Sequence, residues 1–165
     1  MKTANPMAQP KLIKVNVNIG LKEAVSDKGV LEKVSQQLVA ITGQKPKVTR
    51  ARISIANFKV REGDAVGLTV TLRGKRMQDF VTKLINIVLP RVRDFQGVSD
   101  TAFDGAGNYT LGLSEQIVFS EIDYSKIDKI RGLEMTMVIK NSNPEKSKSY
   151  LESMGMPFKK HGKQR

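Results

Sequence analysis

Three segments of this chain alternate apolar and polar residues with a period of two, and the polar positions carry hydrogen-bonding side chains in each. Between Leu12 and Ile19 (LIKVNVNI), Ile13, Val15, Val17 and Ile19 fall on one side, Lys14, Asn16 and Asn18 on the other. Between Val66 and Arg73 (VGLTVTLR), Val66, Leu68, Val70 and Leu72 oppose Thr69, Thr71 and Arg73. Between Leu133 and Lys140, Leu133, Met135, Met137 and Ile139 oppose Glu134, Thr136 and Lys140. Successive side chains of a strand point to opposite faces, so the pattern dictates a sheet with one dry and one wet face. A parallel sheet sandwiched between helices is buried on both sides and reads as continuous apolar runs, which these segments are not.

Helical spacing supplies the cover for the dry face. Ser26 and Asp27 are N-cap candidates for a helix whose apolar stripe is Leu31, Val34, Leu38 and Ile41, ended by Gly43 and Pro46. Residues 75–89 place Met77, Phe80, Val81, Leu84 and Val88 at helical spacing, with Pro90 as the stop. A short helix from Pro144 to Met154 follows the third strand. The reading is an α+β fold: a mostly antiparallel sheet, helices packed on one face, and the other face open for RNA. A chain of 165 residues suits a single domain, spanning 1–158, with a basic tail over 159–165.

Charge gives the open face its meaning. The formal net charge is +12, self-repulsive until a polyanion neutralises it. It is also uneven: Gln44 to Arg76 holds nine Lys or Arg against two Asp or Glu, whereas Asp94 to Glu134 holds three against eight. One part of the chain is built for phosphate and another is not. With no Trp, three Tyr and six Phe, base stacking of the kind an RRM uses is not expected. Asn16, Asn18, Thr69 and Thr71 instead offer donors and acceptors suited to a shallow RNA minor groove, with Lys14 and Arg73 for phosphates.

Other chemistries find little footing. The absence of Cys removes disulfides, thiolate metal sites and Cys nucleophiles. The segment from Phe103 to Glu115 imitates a calcium loop through Asp104, Asn108 and Glu115, but Ala106 and Tyr109 occupy positions where such a loop needs an oxygen ligand and a Gly; Gly105 and Gly107 read as a tight turn. His161, the single His, sits in the basic tail. The glycines match no phosphate-loop or dinucleotide spacing, and no catalytic residue, metal or cofactor is assigned. The apolar runs are too short to span a bilayer, and the N-terminus lacks the pattern of a signal or transit peptide. A small intracellular enzyme acting on RNA or nucleotides is the competing class.

The runs ITGQKPKVTRA (Ile41 to Ala51), SIANFKVREG (Ser54 to Gly63), VTLRGKRM (Val70 to Met77), LPRVRDFQG (Leu89 to Gly97), FDGAGNYTLG (Phe103 to Gly112), EIDYSKIDKIRG (Glu121 to Gly132) and GMPF (Gly155 to Phe158) together resemble large-subunit ribosomal protein 5 of the bacterial type, in order from Lys11 to Phe158. The resemblance implies a component of the cytoplasmic ribosome, or of an organellar one, that anchors 5S rRNA in the central protuberance beside 23S-type rRNA and neighbouring proteins. It also implies proximity to P-site tRNA and an intersubunit bridge with small-subunit protein 13. Carried over by motif position, 5S recognition falls on Asn18, Gln44 and Thr71, and the tRNA-side loop on Lys59 to Gly67, including Arg61 and Gly63. The bridge falls to the acidic stretch with Asp123 and Asp128. The chain departs from the family pattern at Ala106 and Gln96, where Arg is usual, and it lacks the usual N-terminal helical segment.

Overall fold

A computed structural model of the chain describes residues 5–25, 27–124 and 127–159. Strands β1 (Lys11–Gly20), β2 (Lys47–Arg50), β3 (Ala65–Leu72), β4 (Tyr109–Leu113) and β5 (Leu133–Lys140) form one antiparallel sheet in the order β2-β3-β1-β5-β4. Helices α1 (Lys28–Thr42), α2 (Gly74–Lys83), α3 (Leu89–Arg91) and α4 (Pro144–Ser153) complete an α+β fold. Contacts group the chain into two compact units. One comprises Asn16–Leu72 and Gly112–Met135, the other Met1–Val15, Arg73–Leu111 and Thr136–Arg165. Ser26, His161 and the rest of the tail beyond Lys159 lie outside the described residues.

In the first unit, α1 starts where a carboxylate can satisfy its free N–H groups: the Asp27 side chain accepts from the Gly29 N–H at 2.8 Å. It ends at Gly43, whose φ of 67° permits the left-handed turn that returns its N–H to the Val39 carbonyl. The buried stripe is Val30, Val34, Leu38 and Ile41; Leu31, expected inside, is only half-buried. This small rotation of the apolar face lays α1 against β3 and the 3-10 turn Lys22–Val25. Val17, Ile19, Leu68, Val70 and Leu72 are at most 4% exposed, each contributing about 1.5–3 kcal/mol on burial. Val66, near the start of β3, is half-buried.

In the second unit, α2 buries Met77, Phe80 and Val81, then runs on through a π turn (Leu84–Val88) into α3. Pro90 therefore does not stop the helix; it lies inside α3, and the chain turns extended only at Val92. Proline lacks an N–H and crowds the carbonyl four residues back. The turn before it is widened, with the Leu89 N–H donating to Leu84, five residues back, so the helix passes the proline without needing the bond it cannot make. At the start of β1, Leu12 is buried and Ile13 is 37% exposed, the reverse of the alternation. The Leu12 N–H donates to the Tyr150 hydroxyl of α4 at 3.4 Å, so this strand end is covered by α4 and the alternation does not decide its burial.

The Asp104 region is a turn, as its glycines imply. Asp104 Oδ1 accepts from the N–H groups of Ala106 (3.0 Å) and Asn108 (2.7 Å), and Oδ2 from Asn108 Nδ2. These donors hold the carboxyl below its usual range, the Asn108 side chain most of all. Tyr109 follows directly, its ring against Phe103 and Phe158 at centroid distances of 4.7 and 5.6 Å. Gly107 has a φ of 81°, and a Cβ there would sit 2.8 Å from the Asn143 carbonyl carbon and the Ser147 Oγ. Gly107→Ala is expected to cost about 1–3 kcal/mol, read as a lower midpoint in urea unfolding; a midpoint unchanged from the parent would contradict the packing described.

Candidate nucleic-acid interface

On the wet face, β1 and β3 are linked by side chains as well as by backbone. The Thr71 hydroxyl donates to Asn16 Oδ1 at 3.0 Å, and the Thr69 hydroxyl makes a short bond to Asn18 Oδ1. Each pair is a cross-strand rung of the kind that stabilises a sheet face. Each bond uses one acceptor of the amide and the single donor of the hydroxyl, leaving the amide Nδ2 donors and the hydroxyl lone pairs for an external ligand. Thr71 is exposed; Asn16, Asn18 and Thr69 are half-buried, so the array is rigid yet reachable.

Gln44 joins this array from the end of α1. Just past the Gly43 turn, its backbone N–H meets Thr42 Oγ1 at 3.3 Å and its Nε2 donates to the Thr71 carbonyl at 3.2 Å. The Thr42 hydroxyl is itself anchored on the Leu38 carbonyl. Of the seven residues expected on the RNA face, the structure thus gathers Asn16, Asn18, Gln44, Thr69 and Thr71. Lys14 and Arg73 belong to the other unit, each two residues along its chain segment from the Asn16–Thr71 rung. Lys14 is half-buried; Arg73 is exposed and extended ahead of α2.

Sequence reading missed β2. Its ladder with β3 pairs Lys47 with Thr69 and Thr49 with Gly67, placing Lys47 and Thr49 beside the array. Four residues are too few for a reliable period-two signal. Gly67, which the resemblance gives to the tRNA-side loop and the alternation to the Val66–Arg73 strand, is a buried residue of β3, which begins at Ala65; a Cβ on it would lie 2.6 Å from the Ile19 carbonyl oxygen. The loop proper, residues 51–64, holds Lys59 and Arg61 exposed, with turns at Lys59 (φ 53°) and Gly63 (φ 90°). It is ordered by Arg50 Nη1 donating to the Gly63 carbonyl, the Arg61 N–H to Asp64, and the Glu62 N–H to Ser54. Ile53, Ile55 and Phe58 are 71%, 45% and 62% exposed beside an apolar groove of about 620 Å³.

The acidic stretch is less free than its composition implied. Arg131, whose side chain is 7% exposed, pairs with Asp128 at 2.9 Å and Glu23 at 3.1 Å, and Glu23 also pairs with Lys129. Gln116 closes the network by donating to the Lys129 carbonyl at 2.9 Å and accepting from the Arg131 N–H. Asp128 is therefore committed to an ion pair within the fold; both it and Asp123 lie at the surface. The buried cation needs its carboxylate neighbours, a requirement that sequence position alone does not reveal.

The hydrogen bonds from Arg131, with its charge, pull the Asp128 carboxyl down to about 2 from an ordinary 3.8; Lys129 and Arg131 lower Glu23 likewise. A depressed folded-state value means that the unfolded chain takes up protons first. The stabilisation is therefore complete above the ordinary carboxylate range and is lost as pH falls from about 4 towards 2. Asp128→Asn is expected to lower stability at pH 7 by about 0.5–1.5 kcal/mol, solvent at the exposed carboxylate screening the pair, and to shrink that loss as the pH drops through this window. A deficit that stays constant across the whole window would contradict the assignment.

Comparison with known proteins covers nearly the whole chain. The family model for ribosomal protein L5 matches residues 5–61, and the model for the C-terminus of the same ribosomal family matches residues 65–158. The large ribosomal subunit protein uL5 of Dictyoglomus turgidum is 58% identical over 156 residues, 94% of this chain and 87% of that protein. Its counterparts in Anaeromyxobacter sp. strain K and Dehalococcoides mccartyi are 56% and 57% identical, over 94% and 96% of this chain and 87% and 89% of theirs. The chain belongs to the ribosomal protein L5 family: it is a ribosomal protein of the large subunit and not an enzyme.

Proposed function

We propose that the protein binds 5S rRNA in the central protuberance of the large subunit through the polar face of β1 and β3. The observation that carries this reading is the coupled array of Asn16–Thr71, Asn18–Thr69 and Gln44. It is uncharged, fixed by its own hydrogen bonds and poor in stacking surface. Such an array reads ribose hydroxyls and base edges by shape in a wide, shallow RNA groove, while cations such as Lys14 and Arg73 position the phosphates without sequence preference. On the same reading, loop 51–64 faces P-site tRNA through Lys59 and Arg61. The acidic stretch faces small-subunit protein 13 through Asp123, with Asp128 holding the stretch in place. Contacts with 23S-type rRNA and neighbouring proteins complete its setting in the cytoplasmic ribosome.

Filter binding to 5S rRNA tests the central claim. Asn18→Ala and Thr71→Val are each expected to weaken binding by about 0.5–1.5 kcal/mol while leaving the melting temperature close to that of the parent, because neither side chain enters the core. Asn16 and Thr71 share a bond, so their double variant should lose less than the sum of the singles. Full affinity in the triple variant of Asn18, Gln44 and Thr71 would overturn the reading. Lys14→Ala and Arg73→Ala should weaken 5S rRNA and an unrelated hairpin alike, each reducing the slope of log K against log salt by roughly 0.7–0.9.

A further inference from the structure

Loop 51–64 carries apolar surface that its own fold does not use. Ile53, Ile55 and Phe58 are 71%, 45% and 62% exposed, although a folded chain gains by turning such side chains inward. They stand with Val60, Val66 and the buried Leu21 around one apolar groove of about 620 Å³. The groove is open at Gly20 as well, where a Cβ would meet nothing within 4 Å. Contiguous apolar surface rimmed by polar groups marks a contact site, whereas single exposed apolar residues do not. The rim is cationic. Lys22 and Arg52 line the groove, both exposed and neither in an ion pair with a described residue, and no Asp or Glu is among the lining residues. Glu23 and Asp64, close to them in sequence, are held elsewhere: Glu23 by Lys129 and Arg131, Asp64 by the Arg61 N–H.

We infer that this groove seats an acidic amphipathic helix of a protein partner, with apolar side chains in the groove and carboxylates on Lys22 and Arg52. Three features select that occupant. The walls are aliphatic apart from Phe58, so they offer a nucleobase little to stack on and no side-chain acceptor for its edges. Apolar walls cannot satisfy an unpaired main chain either, which favours a helix, whose backbone groups are bonded internally. The unopposed cations call for negative charge. A second copy, at +12 and with the same rim, would be repelled; so would the chain's own tail, whose residues 159–165 hold four Lys or Arg and no acid. The inference stands apart from 5S binding, because the groove uses none of the Asn16–Thr71, Asn18–Thr69 and Gln44 array.

Fluorescence anisotropy on the full chain tests this with a labelled Glu–Ala–Leu helix carrying Leu at i, i+3, i+4 and i+7. That peptide should bind. The same composition with Leu scattered around the helix should not, nor should the same Leu stripe with Lys in place of Glu. Phe58→Ser and Ile53→Ser should each weaken binding roughly ten-fold at an unchanged melting temperature, since both side chains already stand mostly in water. Arg52→Gln should weaken it roughly two- to five-fold, a difference that fades in high salt. Lys33→Gln, the same loss of charge at an exposed site on α1, should change nothing. Affinity for 5S rRNA should stay parental in Phe58→Ser and Ile53→Ser. Absence of peptide binding overturns the inference; so does binding that the scattered peptide matches or that Phe58→Ser and Ile53→Ser leave intact, which is general attraction to a basic protein. A short single-stranded RNA that displaces the peptide and is itself lost in Phe58→Ser makes the groove an RNA site, and dimerisation abolished by Phe58→Ser makes it a self-contact; either overturns the inference. If the peptide results hold while Asn18→Ala and Thr71→Val bind 5S rRNA like the parent, only the proposed function fails.

Discussion

Val17, Ile19, Leu68, Val70 and Leu72 leave water together beneath α1, and that single burial commits the opposite side of the same strands to solvent. In a sheet the two faces are not independent: shifting one strand by a residue would exchange every buried side chain for an exposed one. The hydrophobic register of the dry face therefore sets the hydrogen-bonding register of the wet face. Asn16 meets Thr71 and Asn18 meets Thr69 because Val17, Leu68, Val70 and Leu72 must be inside.

The proposed RNA face differs from the rest of the surface in how its polarity is held. Charges dominate the chain overall, yet the centre of this face is neutral, and its amides and hydroxyls are bonded to each other before any ligand arrives. Fixing them in advance lowers the side-chain entropy lost on binding, which suits recognition of a rigid RNA shape. Under the proposed function, phosphates are left to cations, which need no exact geometry.

The acidic stretch follows a different logic. Its composition points to a charged exterior, but the buried Arg131 draws Asp128 and Glu23 into one network. Part of the negative charge thus secures the segment between β4 and β5.

Period-two alternation legibly set the three long strands, the dry and wet faces, and four of the residues on the array, since strand geometry maps sequence position directly onto face. The cap at Asp27 and the turns at Gly43 and Asp104 were equally legible, because they depend on local bonds. What sequence could not supply were the outcomes decided by distant partners. The four-residue strand β2 is a strand only because β3 lies beside it; Leu12 and Ile13 exchange burial because α4 covers one strand end; Pro90 passes through a helix because the preceding turn widens. Arg131 is buried because Glu23, from a distant part of the chain, joins its near neighbour Asp128 on it. Alternation and capping act over a few residues and are written in the chain, whereas pairing, cover and charge neutralisation act through space, and only the folded structure brings their partners together.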